Sequence, residues 1–565
     1  RLLFQIVGIR MADDAAIGDR ICMGYAGTLV TQGQARAVVV ATGAATEIGR
    51  IGRMLEAVEQ GTTPLLRKMQ DFGRILTLFI LATGGLLFLF GTLVRGMGAG
   101  EMFMAAVGLS VAAIPEGLPA IMTITLAIGV QRMAARNAVI RRLPAVEALG
   151  SVTVICSDKT GTLTRNEMTV QEVICAGQSL DVEGAGYAPT GSLLLQGSAV
   201  DAAALAAHSP AAAALVEAAA LCNDASLHEK EQHWVLAGDP TEGALLTLAM
   251  KAGLSPTVVQ VDRPRLDVIP FESEHRFMAT LHACEAGSEV LVKGAPERIL
   301  AMCSQQLEAD GVERSLDEAH WHNQIEAQAR AGRRVLAFAR CRLGVGKQDL
   351  EHADVASGLT LLGLVGIIDP PRDEAIRAVA QCRAAGIRVV MITGDHGVTA
   401  SAIARQLGMG EDIKAITGPE LELMDDTAMR QAVAEARVFA RASPEHKLRL
   451  VRALQANGEV VAMTGDGVND APALKQADVG VAMGMKGTEA AKQAGAIVLA
   501  DDNFASIAHA VEEGRTVYDN LRKTVTFLLP INGGESLSLL LAVLLGLALP
   551  ITPVQVLWVN MVSSV

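Results

Sequence analysis

Three short polar segments contain residue types that can transfer a phosphoryl group. Asp158 begins the segment DKTGTLT, the segment TGD occupies 393–395, and TGDGVND occupies 464–470. A carboxylate such as that of Asp158 can attack phosphorus and form an acyl phosphate. Asp466 and Asp470 supply hard oxygen ligands for Mg²⁺, which usually combines one or two carboxylates with phosphate oxygens. These residues predict metal-assisted phosphoryl transfer to an aspartate.

Two further residues fit the same chemistry. Lys447 can offset the negative charge on a transferring phosphoryl group, and Thr393 can donate a hydrogen bond to it. A single Asp, Lys and Thr would be weak evidence, whereas three polar segments with the same local pattern are strong evidence. The segments must then be brought together by the elements that precede them.

Each polar segment follows a run of residues typical of a buried strand, at 152–156, 389–391 and 460–463. Strands that alternate with helical patterns predict a doubly wound parallel sheet, whose ligands lie beyond the carboxyl ends of the strands. We expect all three segments to meet at that edge. Residues 166–362 form an insertion large enough for a separate domain, and its Ala-rich piece, 201–220, is interpreted as a plain helix.

Four apolar stretches indicate a membrane protein: 75–94, 102–130, 525–549 and 551–565. A bilayer-spanning helix needs about 20 apolar residues, and the fourth stretch stops before it could cross. Basic residues cluster at the ends that face 133–515, so the positive-inside rule places that part in the cytoplasm. The stretches would form two hairpins.

The composition agrees with this interpretation. Half of the residues are hydrophobic and only 19% are charged, against about 25% in typical soluble domains. The formal charge of −13 argues against a nucleic-acid-binding protein, which needs basic patches. The eight cysteines include no CxxC pair, which favours reduced, packed thiols over a disulfide framework or a zinc site.

Ionisable residues inside a membrane are costly and indicate a functional site. Glu116 lies between Pro115 and Gly117, which break the helix and free carbonyl groups, and Glu535 lies one helical turn after Asn532. Carbonyl and carboxylate oxygens together suit a hard cation. A glutamate pair that only stabilises helix packing remains the alternative. The predicted ligands of a transported cation are Val111, Ala112, Ile114, Glu116, Asn532, Glu535, Asn560, Ser563 and Ser564.

The segment 158–164 resembles the phosphorylation signature of P-type ATPases. The segments 369–372 (DPPR), 393–395 and 464–470 match other motifs of that family, and the resemblance extends from about Met11 to the end of the chain. It implies that Asp158 is phosphorylated from ATP. It also implies that Mg²⁺ is held by Asp158, the carbonyl of Thr160, and Asp466. The implied catalytic residues are Asp158, Lys159, Thr160, Thr393, Gly394, Asp395, Lys447, Asn469 and Asp470.

The insertion resembles the nucleotide-binding domain of the same family. Residues 293–297 match its KGAPE element, and the stretch around Phe271 resembles the segment that stacks on adenine. Read singly, each of these residues is more often structural, and only their combination in one domain favours binding. The implied ATP-binding residues are Thr241, Glu242, Phe271, Arg276, Lys293, Gly294, Arg334 and Arg441.

The predicted fold is a multi-domain membrane protein with transmembrane α-helical hairpins, an α/β phosphorylation domain of the HAD-like, doubly wound class, and an inserted α+β nucleotide-binding domain. The predicted divisions are a carboxyl-terminal remnant of an actuator domain at 1–58, a hairpin of the third and fourth family helices at 59–132, the first part of the phosphorylation domain at 133–165, the nucleotide-binding domain at 166–362, the second part of the phosphorylation domain at 363–510, and a stalk with the fifth and a truncated sixth helix at 511–565.

The expected function is ATP-driven transport of Ca²⁺ or a related cation across the plasma membrane, with ATP, Mg²⁺ and the lipid bilayer as partners. The stretch 114–119 (IPEGLP) resembles the calcium-pump-like subgroup, and no Cys-Pro-Cys motif of heavy-metal pumps is present. Ser564 stands where calcium pumps carry an aspartate, so one Ca²⁺ or another cation fits as well as two.

Two alternatives remain, a membrane-tethered phosphatase or phosphotransferase and an ATP-binding remnant without transport. Soluble phosphatases of this fold typically carry a second aspartate where Thr160 stands, so an acyl phosphate here should persist. The TGES loop of the family is expected upstream of residue 12, and the chain is expected to be an interior portion of a pump.

Overall fold

A computed structural model describes residues 2–3, 20, 23–26, 28, 36–58, 64–114, 118–230, 233–272, 274–284, 287–343 and 347–563. Two large sheets and a group of long apolar helices make up most of this part of the chain. The predicted cation ligands Glu116 and Ser564 lie outside the described residues. The helix that ends at Ser563 is described, but not the side chain of that residue.

The first large sheet, called the parallel sheet here, has eight strands and carries Asp158 at the end of a central strand. Seven strands are parallel and one edge strand is antiparallel. In spatial order the strands are Ala415–Thr417, Val438–Ala440, Arg388–Ile392, Val154–Ser157, Val461–Gly465, Val479–Met483, Ile497–Leu499 and Ala138–Ile140.

Helices cover both faces of the parallel sheet. Ile155 points into one hydrophobic core, and its neighbours Val154 and Cys156 point into the other. A strand buried on both faces reads as a continuous apolar run, which explains why these strands could be recognised in the sequence. The helices are Pro144–Gly150, Asp373–Ala384, Gly397–Gln406, Gly418–Glu422, Asp426–Glu435, Pro444–Ala456, Ala471–Gln476 and Glu489–Ala494, and Val468–Asp470 forms a 3₁₀ turn.

The insertion forms a second sheet of eleven strands, called the inserted sheet. Nine of them follow the spatial order Arg265–Glu272, Phe277–Cys284, Gly287–Gly294, Arg334–Leu343, Leu359–Ile368, Thr169–Cys175, Gln178–Val182, Leu193–Leu195 and Ser198–Val200, and Cys303–Leu307 and Glu313–Ser315 pair beside them. The strand Leu359–Ile368 extends past the domain boundary predicted at 362, and all ten of its residues are buried.

The remaining elements of the insertion pack around its sheet. They are the helices Ala202–His208, Pro210–Leu221, Pro240–Lys251, Pro256–Asp262, Pro296–Met302 and Glu318–Arg330, the 3₁₀ turn His352–Val355, and the hairpin strands Ser226–Lys230 and His233–Ala237. The helical interpretation of 201–220 is confirmed, although Ser209 divides the stretch into two helices. Pro210 starts the second helix, and the Ser209 hydroxyl accepts a hydrogen bond of 3.3 Å from the Ala212 N–H.

The chain passes from the parallel sheet to the inserted sheet and back again, and Asp369 links these two connecting segments. Its carboxylate accepts hydrogen bonds from the Thr164 hydroxyl at 2.6 Å and from the Asn166 N–H at 2.8 Å. Arg372 Nε donates to the Thr164 carbonyl at 3.1 Å. The DPPR segment therefore ties the outgoing and returning chains together beside the phosphorylation segment.

Three of the apolar helical segments in the described part of the chain are long enough to cross a membrane: Asp71–Val94, Ala99–Ala134 and Phe504–Leu545. The helices Pro240–Lys251 and Pro256–Asp262 would together be long and apolar enough to form a bent span. Leu245 and Leu248, however, pack into the core of the insertion. The individual helices of the apolar group are Pro64–Leu89 with a π-turn at Phe90–Val94, Ala99–Ala113, Leu118–Ala134, Phe504–Leu545 and Pro553–Ser563.

The helix Ala99–Ala113 ends where the break is predicted, because Ile114 has an extended backbone, and residues 115–117 lie outside the described residues. The fourth predicted stretch forms a helix of only 11 residues, Pro553–Ser563, which is shorter than a span of about 20 residues. Before the apolar group, the strands Leu2–Leu3, Met23–Gly24 and Val38–Val39 form a small sheet, followed by the 3₁₀ turn Gly43–Ala45 and the helix Glu47–Ala57.

One continuous helix connects the parallel sheet with the apolar group. Phe504–Leu545 has 42 residues, which at about 1.5 Å per residue corresponds to roughly 60 Å. Gly514 on this helix lies against Gly150, and a Cβ at Gly514 would come within 2.8 Å of the Gly150 nitrogen. This close backbone contact fixes the long helix against the helix Pro144–Gly150, which directly precedes the strand that carries Asp158.

Candidate functional site

The structure brings Asp158, Lys447 and Asp470 together at the carboxyl edge of the parallel sheet. Lys447 Nζ donates hydrogen bonds of 2.7 Å to Asp158 Oδ2 and of 2.7 Å to Asp470 Oδ1. Lys447 and Asp470 are 6% and 2% exposed, whereas Asp158 is partly accessible. The three segments predicted to meet at this edge do meet, and Asp158 is the member that a substrate can reach.

Backbone geometry holds Asp470 in place. Its Oδ2 accepts hydrogen bonds from the N–H groups of Asp466 at 3.2 Å and Gly467 at 3.0 Å. A Cβ at Gly465 would lie 2.3 Å from the Asp470 Cβ, so only glycine fits at the end of this strand. The TGDGVND loop therefore folds around one of its own carboxylates.

The electrostatics of the cluster follow from burial and close charges. Burial alone would lower the pKa of Lys447, but the charges of Asp158 and Asp470 outweigh it and raise the pKa. Burial, followed by the charges of Asp470 and Asp158, raises the pKa of Asp466. Lys447 therefore stays protonated, and Asp466 has excess negative charge around it that a cation would relieve.

A second lysine serves the neighbouring loop. Lys159 Nζ lies 2.5 Å from Asp395 Oδ2, an ion pair without hydrogen-bond alignment, and 3.8 Å from Asp369 Oδ2. The Thr393 hydroxyl accepts a hydrogen bond of 3.1 Å from the Asp395 N–H. The ion pair with Asp395 thus links the TGD loop to Lys159, the residue that follows Asp158.

The other predicted catalytic residues lie at the rim. Thr160, Gly394 and Asn469 are exposed, and the phosphorylation segment turns sharply at Gly161, where φ is +74°. Sequence reasoning missed Thr464, whose hydroxyl accepts the Asp158 N–H at 3.2 Å and donates to the Ser157 hydroxyl at 3.2 Å. Its position two residues before Asp466, near the end of a strand, was the available signal.

The donors at this edge fit Mg²⁺. Carboxylates predominate, and the raised pKa of Asp466 marks the place where a further positive charge is favourable. Across the described ranges, no three His, Cys, Asp or Glu side chains already converge as a metal site. Phosphate oxygens would have to complete the coordination, as is usual for this ion.

Seven of the eight predicted ATP-binding residues lie in the insertion. Lys293 Nζ lies 2.5 Å from Glu242 Oε1, and Arg334 donates a hydrogen bond of 3.4 Å to the Thr241 hydroxyl. The helix that carries Thr241 and Glu242 begins at an N-cap, Asp239, which accepts both of their N–H groups. The pairing of Lys293 with Glu242 was not anticipated from the sequence.

Phe271 lies near the end of the strand Arg265–Glu272, and Arg276 lies in the turn that leads into the next strand, Phe277–Cys284. Phe271 is 54% exposed, which leaves its ring available for stacking. A Cβ at Gly294 would lie 2.5 Å from the Arg276 carbonyl oxygen, so the close approach of the two backbones at this end of the strand pair requires glycine. Arg441, by contrast, lies with the parallel sheet, and its N–H donates to the Asp395 carbonyl at 3.0 Å.

Two of the predicted cation ligands, Asn532 and Asn560, contact carbonyls at the end of the helix Ala99–Ala113. Asn532 Nδ2 donates to the Ile114 carbonyl at 3.0 Å, and Asn560 Nδ2 donates to the Val111 carbonyl at 3.4 Å. The expectation that the break leaves these carbonyls free is therefore wrong for both of them. A carbonyl in apolar surroundings takes the nearest donor, and here two amides supply it. Ala112 is fully buried in the same turn.

Glu535 differs from its neighbours in this group. Both of its carboxylate oxygens are buried, and neither has a hydrogen-bond partner among the residues that the structure describes. Buried carboxylates are normally paired or bind a metal ion. Glu535 is thus the group that most clearly requires a ligand.

Comparison with known proteins matches this geometry. The family pattern described as P-type ATPase, cytoplasmic domain N, matches residues 211–374. Two patterns described as haloacid dehalogenase-like hydrolase match 363–475 and 447–511. A parallel sheet with a strand-end aspartate and an inserted domain defines a protein of the haloacid dehalogenase-like class.

Sequence similarity to individual proteins identifies a family within this class. The chain is 50% identical to the cation-transporting ATPase pma1 of Synechocystis over 559 residues, 98% of this chain and 61% of that protein. It is 44% identical to the calcium-transporting ATPase of Bacillus subtilis, and 40% identical to calcium-transporting ATPase type 2C member 1 of Bos taurus. Both matches cover 98% of this chain, with 62% and 56% of those proteins. The chain belongs to the P-type ATPase family and spans about three fifths of the length of these relatives.

Proposed function

We propose that this chain belongs to an ATP-driven cation pump in which Asp158 accepts the terminal phosphoryl group of ATP. The observation that carries the proposal is the Lys447 ammonium, which is hydrogen-bonded to both Asp158 and Asp470 at the carboxyl edge of the parallel sheet. This edge is where open α/β sheets bind their ligands.

The chemistry follows from the arrangement. A bond forms between an Asp158 carboxylate oxygen and the γ-phosphorus, the bond from that phosphorus to the β,γ-bridging oxygen breaks, and ADP leaves with the electron pair. Lys447 offsets the charge that develops on the transferring group, and the Thr393 hydroxyl donates a hydrogen bond to it. Lys159 holds the TGD loop in reach through Asp395.

Mg²⁺ would be held by Asp158, the Thr160 carbonyl and Asp466, with Asn469 and Asp470 in support, and it would neutralise phosphate charge when bound. The insertion would bind the nucleotide, with Phe271 stacked on the adenine and Lys293 closing the pocket. Lys293 must then leave Glu242 at least in part, because the two side chains now satisfy each other.

The transported cation would bind between the helix break and Glu535, in a membrane that we propose is the plasma membrane. Ca²⁺ is the first candidate, since it prefers carbonyl and carboxylate oxygens and two of the relatives are named calcium-transporting ATPases. Glu535 supplies a carboxylate that no described protein group satisfies. The helix Phe504–Leu545 would connect this site with the parallel sheet.

The test is acid-quenched labelling with ATP that is labelled in its terminal phosphate. We expect Mg²⁺-dependent label on Asp158 that hydroxylamine removes, as it removes acyl phosphates. Asp158→Asn should carry no label, whereas Asp349→Asn, in a segment remote from the parallel sheet, should be labelled normally. Label that survives Asp158→Asn, or that resists hydroxylamine, would overturn the proposal.

A further inference from the structure

A loop of the parallel sheet, Gly484–Gly487, carries a lysine that the phosphoryl-transfer motifs do not include. The loop follows the strand Val479–Met483 and turns within four residues. A Cβ at Gly484 would lie 2.4 Å from the Leu499 carbonyl oxygen, and one at Gly487 would lie 2.0 Å from the Met483 carbonyl oxygen. Both ends of the loop therefore need glycine, and the loop has little freedom.

Asp502 holds this loop in place through hydrogen bonds to its backbone. This residue is 1% exposed, and its carboxylate accepts hydrogen bonds from three consecutive N–H groups, those of Gly484 at 2.7 Å, Met485 at 3.0 Å and Lys486 at 2.8 Å. Charge-assisted hydrogen bonds of this kind are among the stronger ones. The backbone of Lys486 is therefore held in one place by Asp502, which lies two residues before the long helix begins at Phe504.

The side chain of Lys486 extends over the phosphorylation segment. Its Nζ lies 3.4 Å and its Cδ 3.7 Å from the position that a Cβ on Gly161 would occupy. Gly161 is three residues after Asp158, at the sharp turn of the segment. The ammonium group thus lies at the rim of the site where the phosphoryl group would arrive.

The charge balance distinguishes Lys486 from the two lysines already described. Lys447 is bound by Asp158 and Asp470, and Lys159 is bound by Asp395. No carboxylate in the described part of the chain lies within 4.0 Å of Lys486 Nζ. An exposed ammonium that is held over an anion site by a rigid loop is available to bind that anion.

We propose that Lys486 binds the phosphoryl group that is transferred at Asp158, in a position set by Asp502 and the two loop glycines. This inference rests on the proposed function of Asp158. The ligand chemistry is a phosphate dianion or the terminal phosphate of ATP, and Lys486 acts as a point charge at its outer side, opposite the buried Lys447.

The experiment compares Lys486→Met, Lys486→Arg and the matched control Lys492→Met in labelling of Asp158. Lys492 lies in the same region, but its Nζ pairs with Glu489 at 3.2 Å. Loss of one exposed charge-assisted contact should raise the half-saturating ATP concentration about fivefold in Lys486→Met. Lys486→Arg and Lys492→Met should stay near the unsubstituted protein, and ADP binding should be unchanged because ADP lacks the terminal phosphate.

Two further arms identify the source of the phosphate and test the charge. One measurement is the concentration of inorganic phosphate that halves labelling. If Lys486→Met changes both this concentration and the half-saturating ATP concentration, the contact is with the phosphoryl group at Asp158. A shift with ATP alone assigns it to the bound nucleotide. The difference between Lys486→Met and the unsubstituted protein should shrink as salt rises, because an exposed charge is screened.

Three outcomes overturn the inference: no shift in Lys486→Met, equal impairment of the Met and Arg variants, or a shift that is independent of salt. The proposed function fails separately, if the unsubstituted protein carries no hydroxylamine-sensitive label at all. An unlabelled Lys486→Met beside a labelled Lys486→Arg would support the inference, since both variants keep the length of the side chain.

Discussion

The edge of the parallel sheet and the helix break in the apolar group both contain buried acidic groups, but they satisfy them differently. At the sheet edge, Asp470 is bound by Lys447 and two backbone N–H groups. At the helix break, both oxygens of Glu535 are buried without a partner among the described residues. Protein groups therefore satisfy the buried carboxylate at the sheet edge, whereas a cation or a proton would satisfy that of Glu535.

The same contrast holds for the neutral groups. The carbonyls of Val111 and Ile114 are occupied by the amides of Asn560 and Asn532. The amides tie three helices together. Asn532 thus has a structural contact, and we propose that Glu535, one helical turn away, binds the cation.

Removal of the lysine should show how much the sheet edge depends on its own charges. Lys447→Met leaves Asp158 and Asp470 facing each other without a cation. We expect labelling of Asp158 to slow by about 10²–10³-fold and the free energy of unfolding to fall by about 3–5 kcal/mol. The measurements are quenched-flow labelling and thermal unfolding of the purified protein.

The double variant Lys447→Met/Asp470→Asn is the control for this prediction. It should recover part of the lost stability, because one of the two opposed charges is gone, but none of the labelling rate. If Lys447→Met alone unfolds at the temperature of the unsubstituted protein, the sheet edge does not depend on this ion pair.

Glu535→Gln tests the opposite behaviour at the helix break. Because the carboxylate has no partner among the described residues, its neutral replacement should leave thermal stability unchanged or slightly raised. The cation concentration that half-activates labelling should rise at least about tenfold, since affinity follows the charge of the ligands. Phosphoenzyme formation is measured against Ca²⁺, Mn²⁺, Na⁺ and K⁺.

Glu101→Gln is a matched control, because Glu101 lies exposed in the first turn of the helix Ala99–Ala113. It should respond to the activating cation like the unsubstituted protein. A Glu535→Gln protein with the same cation dependence would place the transported ion elsewhere.

The nucleotide pocket should give a smaller effect. Phe271→Ala removes an exposed ring, and ATP affinity should fall about fivefold, which corresponds to about 1 kcal/mol. The control Leu266→Ala, on the same strand and 41% exposed, should bind ATP normally. Equilibrium binding of ATP checks both, and equal affinities for all three proteins would make Phe271 a structural residue.

The smallest effect concerns Asp466 and pH. Its raised pKa means that ionisation is less favourable in the folded state, so the unfavourable contribution is present at neutral pH and disappears as the pH falls through that pKa. Asp466→Asn should unfold a few degrees higher at neutral pH, and the difference should vanish in acid. Mg²⁺ should raise the unfolding temperature of the unsubstituted protein only. A variant that is less stable than the unsubstituted protein at neutral pH would contradict this explanation.

Local patterns were sufficient to predict the architecture. The three strand-then-polar-segment units were recognisable because strands buried on both faces are continuously apolar, and Asp158, Thr393 and Asp466 follow their ends. The helix break at Pro115 was equally local, since proline and glycine interrupt a helix wherever they stand. Each of these features depends on a few consecutive residues.

The pairing of side chains was decided only by the tertiary structure. Lys447 meets Asp158 across 289 positions of sequence, and Asn532 meets the Ile114 carbonyl across 418. Lys486 reaches Gly161 only because Asp502 holds its loop. Local sequence specifies which groups are charged and which strand they follow, whereas the partner of each group depends on where distant segments are brought by the packing of the two sheets and the helices.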